Sequence, residues 1–320
     1  MKHFTSTQDV ENISSLIQSA IALKAAPFEH KSLGKNKTIG LIFMNPSLRT
    51  RLSTEKAAKN LGMEVMSMNF GSDGWGLATA EGIVMKEGAG EHIKEAAAVL
   101  GQYCDIIAVR SFPKLADRAE DYADHVIEGF KKYSGKPVIS LESANGHPLQ
   151  SLTDAITIEE LKKKDKPKVV LTWAPHPKAL PQAVANSFAE WMSQLDTVDF
   201  CITHPKGYEL DKKFTGDTPI IYDQDEAFAG ADFIYAKNWS SYQDYGKIMC
   251  EDNSWMITSE KMGLTNEAKF MHCLPVRRNV VVADEVLDSE YSAVIQQAGN
   301  REFAAQAVIK GILSFNKVRD

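Results

Sequence analysis

Two arginines, a serine and a threonine crowd into Asn45-Pro46-Ser47-Leu48-Arg49-Thr50-Arg51, directly after the apolar run Thr38-Ile39-Gly40-Leu41-Ile42-Phe43-Met44. The run reads as a buried strand. The segment after it reads as a helix start, with Asn45 as N-cap and Pro46 in the first helical position. At such a start the backbone N–H groups and the positive end of the helix dipole favour an anion. Guanidinium groups grip phosphate oxygens in pairs, and hydroxyls add neutral donors. The segment therefore reads as a phosphate cradle. The plainer alternative is a charged helix start whose arginines pair with Glu55. First-turn arginines oppose the dipole, however, unless an anion compensates them.

Other residues with chemistry stand where further apolar runs end. Arg110 closes Asp105-Ile106-Ile107-Ala108-Val109, and open parallel sheets bind ligands at the carboxyl ends of their strands. An arginine merely entering solvent is the other reading. Glu142, at another strand end, is a candidate acceptor for a substrate N–H. In His147-Pro148-Leu149-Gln150 the imidazole can donate to a carbonyl oxygen and the amide can accept from an N–H, although a His-Pro pair is commonly only a turn. His272-Cys273-Leu274-Pro275 leads into Arg277 and Arg278, with Arg277 suited to a carboxylate. Cys273 has only His272 beside it, which fits a buried structural thiol. Lys237 is a further cation at a strand end, and His176, between two prolines, reads locally as a turn residue.

The elements needed to hold these residues alternate along the chain. Strands are expected at 38–44, 64–69, 105–112, 137–143, 168–173, 199–203, 233–237 and 270–274. Helices are expected at 46–61, 92–103, 118–133, 148–164, 182–192, 224–229 and 301–315, with a polar, Gly-rich loop at 71–90 that exposes Trp75. Such alternation means an α/β protein built on doubly wound parallel sheets. A length of 320 residues exceeds what one core holds. Two domains are expected: 1–147, with the C-terminal helix 300–320 packed back on it, and 148–299.

Composition narrows the partners. A net charge of −6 argues against nucleic acid. No apolar run approaches the roughly 18 residues of a membrane span, and no signal-like run follows Met1. Cys104, Cys201, Cys250 and Cys273 are widely spaced, as in a reduced, cytoplasmic chain. No HExxH, Walker A or G-x-S-x-G pattern occurs, and no metal or cofactor is expected.

Taken in order, Ser47-Leu48-Arg49-Thr50-Arg51, Arg110, His147-Pro148-Leu149-Gln150 and His272-Cys273-Leu274-Pro275 resemble the aspartate/ornithine carbamoyltransferase family over essentially the whole chain. The resemblance implies that Ser47, Leu48, Arg49 and Thr50 bind the phosphate of carbamoyl phosphate. Arg110 and His147, with Thr50, would polarise its carbonyl oxygen. Pro148 and Leu149 line the same site, and Gln150 would hold the carbamoyl nitrogen. The Cys273-Leu274 backbone and Arg301 complete it, and Trp75 reaches the site of a neighbouring subunit. Family members are trimers that share active sites across interfaces.

The Asp-x-x-x-Ser-Met-Gly loop of the ornithine enzymes is absent. Ala236-Lys237-Asn238-Trp239, the 272–279 segment and Thr172-Trp173-Ala174-Pro175-His176-Pro177 instead resemble the branch that acts on N-acylated ornithine. There Glu142, His176, Lys237 and Arg277 correspond to acyl-ornithine contacts, and the second domain is knotted, an exception to the usual rule. At position 90, beside the acyl group, acetyl-specific members resemble one another in carrying Glu and succinyl-specific members Pro. Gly90 matches neither, yet would not repel a succinyl carboxylate as Glu would. The resemblance thus implies carbamoyl transfer to the δ-amine of N-succinyl-L-ornithine in arginine biosynthesis. N-acetyl-L-ornithine is the alternative acceptor, and a non-catalytic phosphate or amino-acid sensor is a third reading.

Overall fold

The computed structural model describes residues 1–86 and 88–317. Positions 318–320 of the expected C-terminal helix lie outside the described residues. The chain divides into two units, one comprising Met1–Leu149 and the chain from Arg301 on, the other Gln150–Asn300.

The first unit is organised by β1 (Thr38–Phe43) and β2 (Glu64–Asn69), two short strands β3 (Leu77–Ala78) and β4 (Glu91–His92), then β5 (Ile106–Arg110) and β6 (Val138–Glu142). Its main sheet is parallel throughout, in the order β2-β1-β5-β6. Ile39, Leu41, Ile106, Ile107 and Ala108 are fully buried, the continuous apolar pattern of strands covered on both faces. The strand order reverses between β1 and β5, where Phe43 pairs with Arg110. The two strand ends that carry the cradle and Arg110 are therefore neighbours at the switch point, where such sheets leave a crevice.

The helix after β1 spans Leu48–Asn60, not 46–61, and its N-cap is Ser47 rather than Asn45. Asn45 is engaged elsewhere, its Oδ1 accepting the Phe112 backbone N–H at 2.7 Å and tying the two strand-end loops together. The helix expected over 118–133 is two helices, Arg118–Tyr122 and His125–Tyr133. Asp124 breaks it by taking a left-handed conformation (φ 51°), from which its Oδ2 accepts from Ser143 Oγ at 2.6 Å and Asn145 Nδ2 at 3.0 Å. That anchors the turn leading to His147. The loop at 71–90 is not wholly irregular, because β3 pairs in parallel with β4. The last helix begins at Val294, ahead of the expected 301, and Asn60 Nδ2 holds it through Glu302 Oε1 (2.7 Å) and Gln306 Oε1 (3.1 Å).

The second unit carries β7 (Lys168–Trp173), β8 (Asp199–Thr203), β9 (Ile220–Ile221), β10 (Phe233–Lys237) and β11 (Lys269–Met271) in the parallel order β11-β10-β7-β8-β9. Its switch point lies between β7 and β10, where Trp173 pairs with Lys237. The strand expected over 270–274 stops at Met271, and Leu274 turns left-handed (φ 56°) before a cis bond to Pro275.

Candidate active site

At the start of the helix Leu48–Asn60 no acidic residue occupies the first turn, and Ser47 Oγ makes no capping bond. Its first-turn N–H groups thus keep their full attraction for an anion. Glu55 pairs with Lys59 at 2.6 Å, and Arg49 and Arg51 form no ion pair among the described residues. The salt-bridged alternative for this helix start is therefore not what forms.

Arg110 is buried at the end of β5. Its Nε and Nη2 donate to Glu142 Oε2 at 3.3 and 3.1 Å, and its Nη1 donates to the carbonyls of Asn45 (2.9 Å) and Pro46 (2.5 Å). Its guanidinium lies 4.1 Å from the centre of the Phe112 ring. Glu142, expected to meet substrate, here compensates the Arg110 charge and stands 3.9 Å from His147 Nε2. Arg301 Nη2 donates to Thr50 Oγ1 at 2.6 Å and lies 3.4 Å from His147 Nε2. Burial, then the Arg301 and Arg110 cations, pushes the His147 pKa well below the usual imidazole value. The ring is neutral at physiological pH, able to donate one N–H without adding charge. Thr50, Arg301, His147, Glu142 and Arg110 thus form one buried cluster.

Also in the first unit, Trp75 is 59% exposed and donates from Nε1 to Glu91 Oε2 at 2.9 Å. Its ring covers Gly90 so closely that a Cβ there would lie 2.8 Å from Trp75 Cγ. Pro148 and Leu149 open the helix Pro148–Leu161.

The remaining residues belong to the second unit. Gln150 Nε2 donates to Asp154 Oδ1 at 2.7 Å. The His272 backbone N–H donates to Gln297 Oε1 at 2.9 Å, and Leu274 N donates to His272 Nδ1 at 2.9 Å, setting the Cys273-Leu274 turn. Lys237 is buried at the end of β10 and caps the Asn238 carbonyl at 3.0 Å. Arg277 Nε donates to His176 Nε2 at 3.1 Å, and His176 Nδ1–H donates to the Lys178 carbonyl oxygen at 2.9 Å. Burial holds the His176 pKa below its ordinary value, with Arg277 and Lys237 adding to the effect against the Lys178 carbonyl. A residue that reads locally as a turn is therefore a neutral prop for Arg277. Arg278 faces away into Asp284 and Asp288 at 2.9 and 2.7 Å. Sequence reasoning does not single out Asp154 or Gln297; the i, i+4 spacing of Gln150 and Asp154 is the one signal that could have found the first of them.

Fold and cluster together define a doubly wound α/β protein with a buried, arginine-containing cluster at the carboxyl ends of parallel strands. The chain belongs to the aspartate/ornithine carbamoyltransferase family: residues 2–160 match its carbamoyl-P binding domain and residues 181–312 its Asp/Orn binding domain. It is 52% identical over 315 residues to N-succinylornithine carbamoyltransferase of Bacteroides thetaiotaomicron, covering 98% of this chain and 99% of that protein. Identity to N-acetylornithine carbamoyltransferase of Xanthomonas axonopodis pv. citri is 37% over 342 residues, covering 98% and 97%. Among solved structures it is similar to an N-acetyl-L-ornithine transcarbamylase mutant, one glutamate changed to alanine, complexed with carbamyl phosphate and N-succinyl-L-norvaline. That match has a TM-score of 0.89 at 36% identity and covers 98% of this chain and 100% of the other.

Proposed function

We propose that this protein transfers the carbamoyl group of carbamoyl phosphate to the δ-amine of N-succinyl-L-ornithine, releasing N-succinyl-L-citrulline and phosphate in arginine biosynthesis. The observation that carries the reading is the buried Thr50–Arg301–His147–Glu142–Arg110 cluster beside an anion-ready helix start. A mere phosphate binder needs Ser47, Arg49 and the helix dipole, but has no use for a neutral imidazole among arginines.

In this reading Ser47, Leu48, Arg49 and Thr50 hold the phosphate, and Trp75 serves the site of a neighbouring subunit. Attack on the carbonyl carbon builds an oxyanion, which Thr50, Arg110, His147 and Arg301 stabilise; one such donor is commonly worth about 10²–10³ in rate. Gln150 and the Cys273-Leu274 backbone hold the carbamoyl nitrogen. The δ-amine, with an intrinsic pKa of about 10.4, must lose a proton before attack. The departing phosphate takes the amine's remaining excess proton, so the chemistry asks for no side-chain nucleophile, and holding two substrates in line supplies much of the rate.

Lys237 and Arg277, the latter propped by His176, are matched to the carboxylates of the acceptor, and Glu142 to its N–H. A succinyl group adds a carboxylate to the one ornithine already has, and Gly90 opposes it with no charge. The 52% identity to an N-succinylornithine carbamoyltransferase supports the same acceptor. The protein works in the cytoplasm as a homotrimer, an association supported by exposed Leu48 and Leu52 one helical turn apart.

The test is product formation from carbamoyl phosphate with ornithine, N-acetylornithine and N-succinylornithine in parallel. The succinyl compound should give the highest kcat/KM. Preference for the acetyl compound would reassign the acceptor, and no product from any of the three would leave a phosphate sensor.

A further inference from the structure

We propose that Asp154, which takes no part in the chemistry above, is a positioning residue that sets the orientation of the carbamoyl-nitrogen subsite. The proposal rests on the reading that Gln150 holds that nitrogen.

Asp154 is fully buried on the helix Pro148–Leu161, one turn beyond Gln150. Its Oδ1 accepts from Gln150 Nε2 and from Gln297 Nε2, both at 2.7 Å. The second amide ends on the strand-end turn, since Gln297 Oε1 accepts the His272 backbone N–H at 2.9 Å and His272 Nδ1 accepts from Leu274 N at 2.9 Å. One carboxylate therefore registers both pieces assigned to the carbamoyl nitrogen.

The physical basis is the near-isosteric shape of an amide. The two ends of Gln150 differ little in size, so its partner decides which end faces which way. Oδ1 acts here as an acceptor, so it selects the NH₂ end and turns Oε1, itself an acceptor for an N–H, the other way. A flipped Gln150 would set Oε1 against the carboxylate and offer an NH₂ group to another NH₂ group. Gln297 is oriented twice over: Asp154 requires its nitrogen, and the His272 N–H requires its oxygen. Both demands agree. The result is a subsite that reads the amino group separately from the phosphate.

Acetyl phosphate, which carries a methyl where carbamoyl phosphate has its amine, isolates that reading. A site built to hydrogen-bond an N–H rejects the analogue lacking it. Acetyl phosphate and inorganic phosphate are compared as competitive inhibitors against carbamoyl phosphate. In Asp154→Asn, whose amide can also donate, the preference for carbamoyl over acetyl phosphate should fall about tenfold while inorganic phosphate inhibits within twofold of wild type. In the Gln150→Leu background Asp154→Asn should cost little more, because the two act as one unit. An unchanged preference, or an equal loss for all three ligands, overturns the proposal. If Asp154→Asn does not fold, Gln297→Leu must lower the same preference, and an unaltered ratio there overturns it as well. A wild type that does not distinguish carbamoyl from acetyl phosphate would instead overturn the functional reading beneath it.

Discussion

His147 shows how burial can outweigh an adjacent carboxylate. Glu142 lies 3.9 Å away, yet desolvation and two arginines hold the imidazole pKa well below its ordinary value. The unfolded chain therefore binds a proton that the folded chain refuses, between about pH 6.5 and the depressed folded value. This contribution to stability is complete above about pH 6.5 and is lost as pH falls toward the folded pKa, by at most about 1.4 kcal/mol per pH unit. His3, His176 and His204 are also depressed by burial and act in the same direction. Comparison with His147→Gln isolates one residue: the variant's urea midpoints should vary less between pH 7 and pH 5 than the wild type's. Parallel pH profiles would show that His147 is not the proton acceptor. Adjacent Arg277 and Arg278 make a related point. Their types are identical, and only their surroundings, His176 for one and Asp284 with Asp288 for the other, separate a cation held by an imidazole from one neutralised by carboxylates.

Among elements, the strands were legible because burial on both faces makes them unbroken apolar runs, as in β1, β5 and β7. Helix boundaries were less so. Asp124 has an ordinary helical context in sequence, and its break answers to Ser143 and Asn145, about twenty residues away. The helix Ile93–Tyr103 offers a test of long-range constraint. Gly101 in a helix is about 1 kcal/mol worse than Ala by propensity. A Cβ there would, however, sit 2.1 Å from the Ser134 carbonyl oxygen at the end of the helix His125–Tyr133. Overpacking against backbone costs about 1–3 kcal/mol, so the clash should win. Gly101→Ala is expected to lower Tm by a few degrees, read by calorimetry; a raised Tm would mean that the helix end yields freely.

For the whole molecule, two parallel sheets each place cations at the carboxyl ends of their strands, within an acidic chain of net charge −6. Leu48, Leu52 and Trp75 remain exposed on the first unit at 69, 57 and 59%. Single exposed apolar residues mean little, but this group includes two leucines on one helix face beside proposed site residues. Light scattering should give the mass of three chains for the wild type and of one chain for Leu52→Glu, with carbamoylation falling in parallel because Trp75 then serves no neighbour. A trimeric Leu52→Glu variant would move the interface elsewhere.

Contiguous sequence carried the α/β class, the longer strands and a candidate anion cradle at 47–51, because strand burial and helix-start chemistry are local, whereas the two-residue strands β3, β4 and β9 left no such signal. It also carried the family, through four short motifs in a set order. Tertiary structure alone decided the pairings: Arg110 with Glu142, Arg301 with Thr50, His176 with Arg277, and Asp154 with both Gln150 and Gln297. Apart from Gln150 and Asp154, these partners lie 32 to 251 positions apart. Hydrogen bonds and desolvation act over a few ångströms of space, not along the chain, so only folding reveals which partner holds each cation.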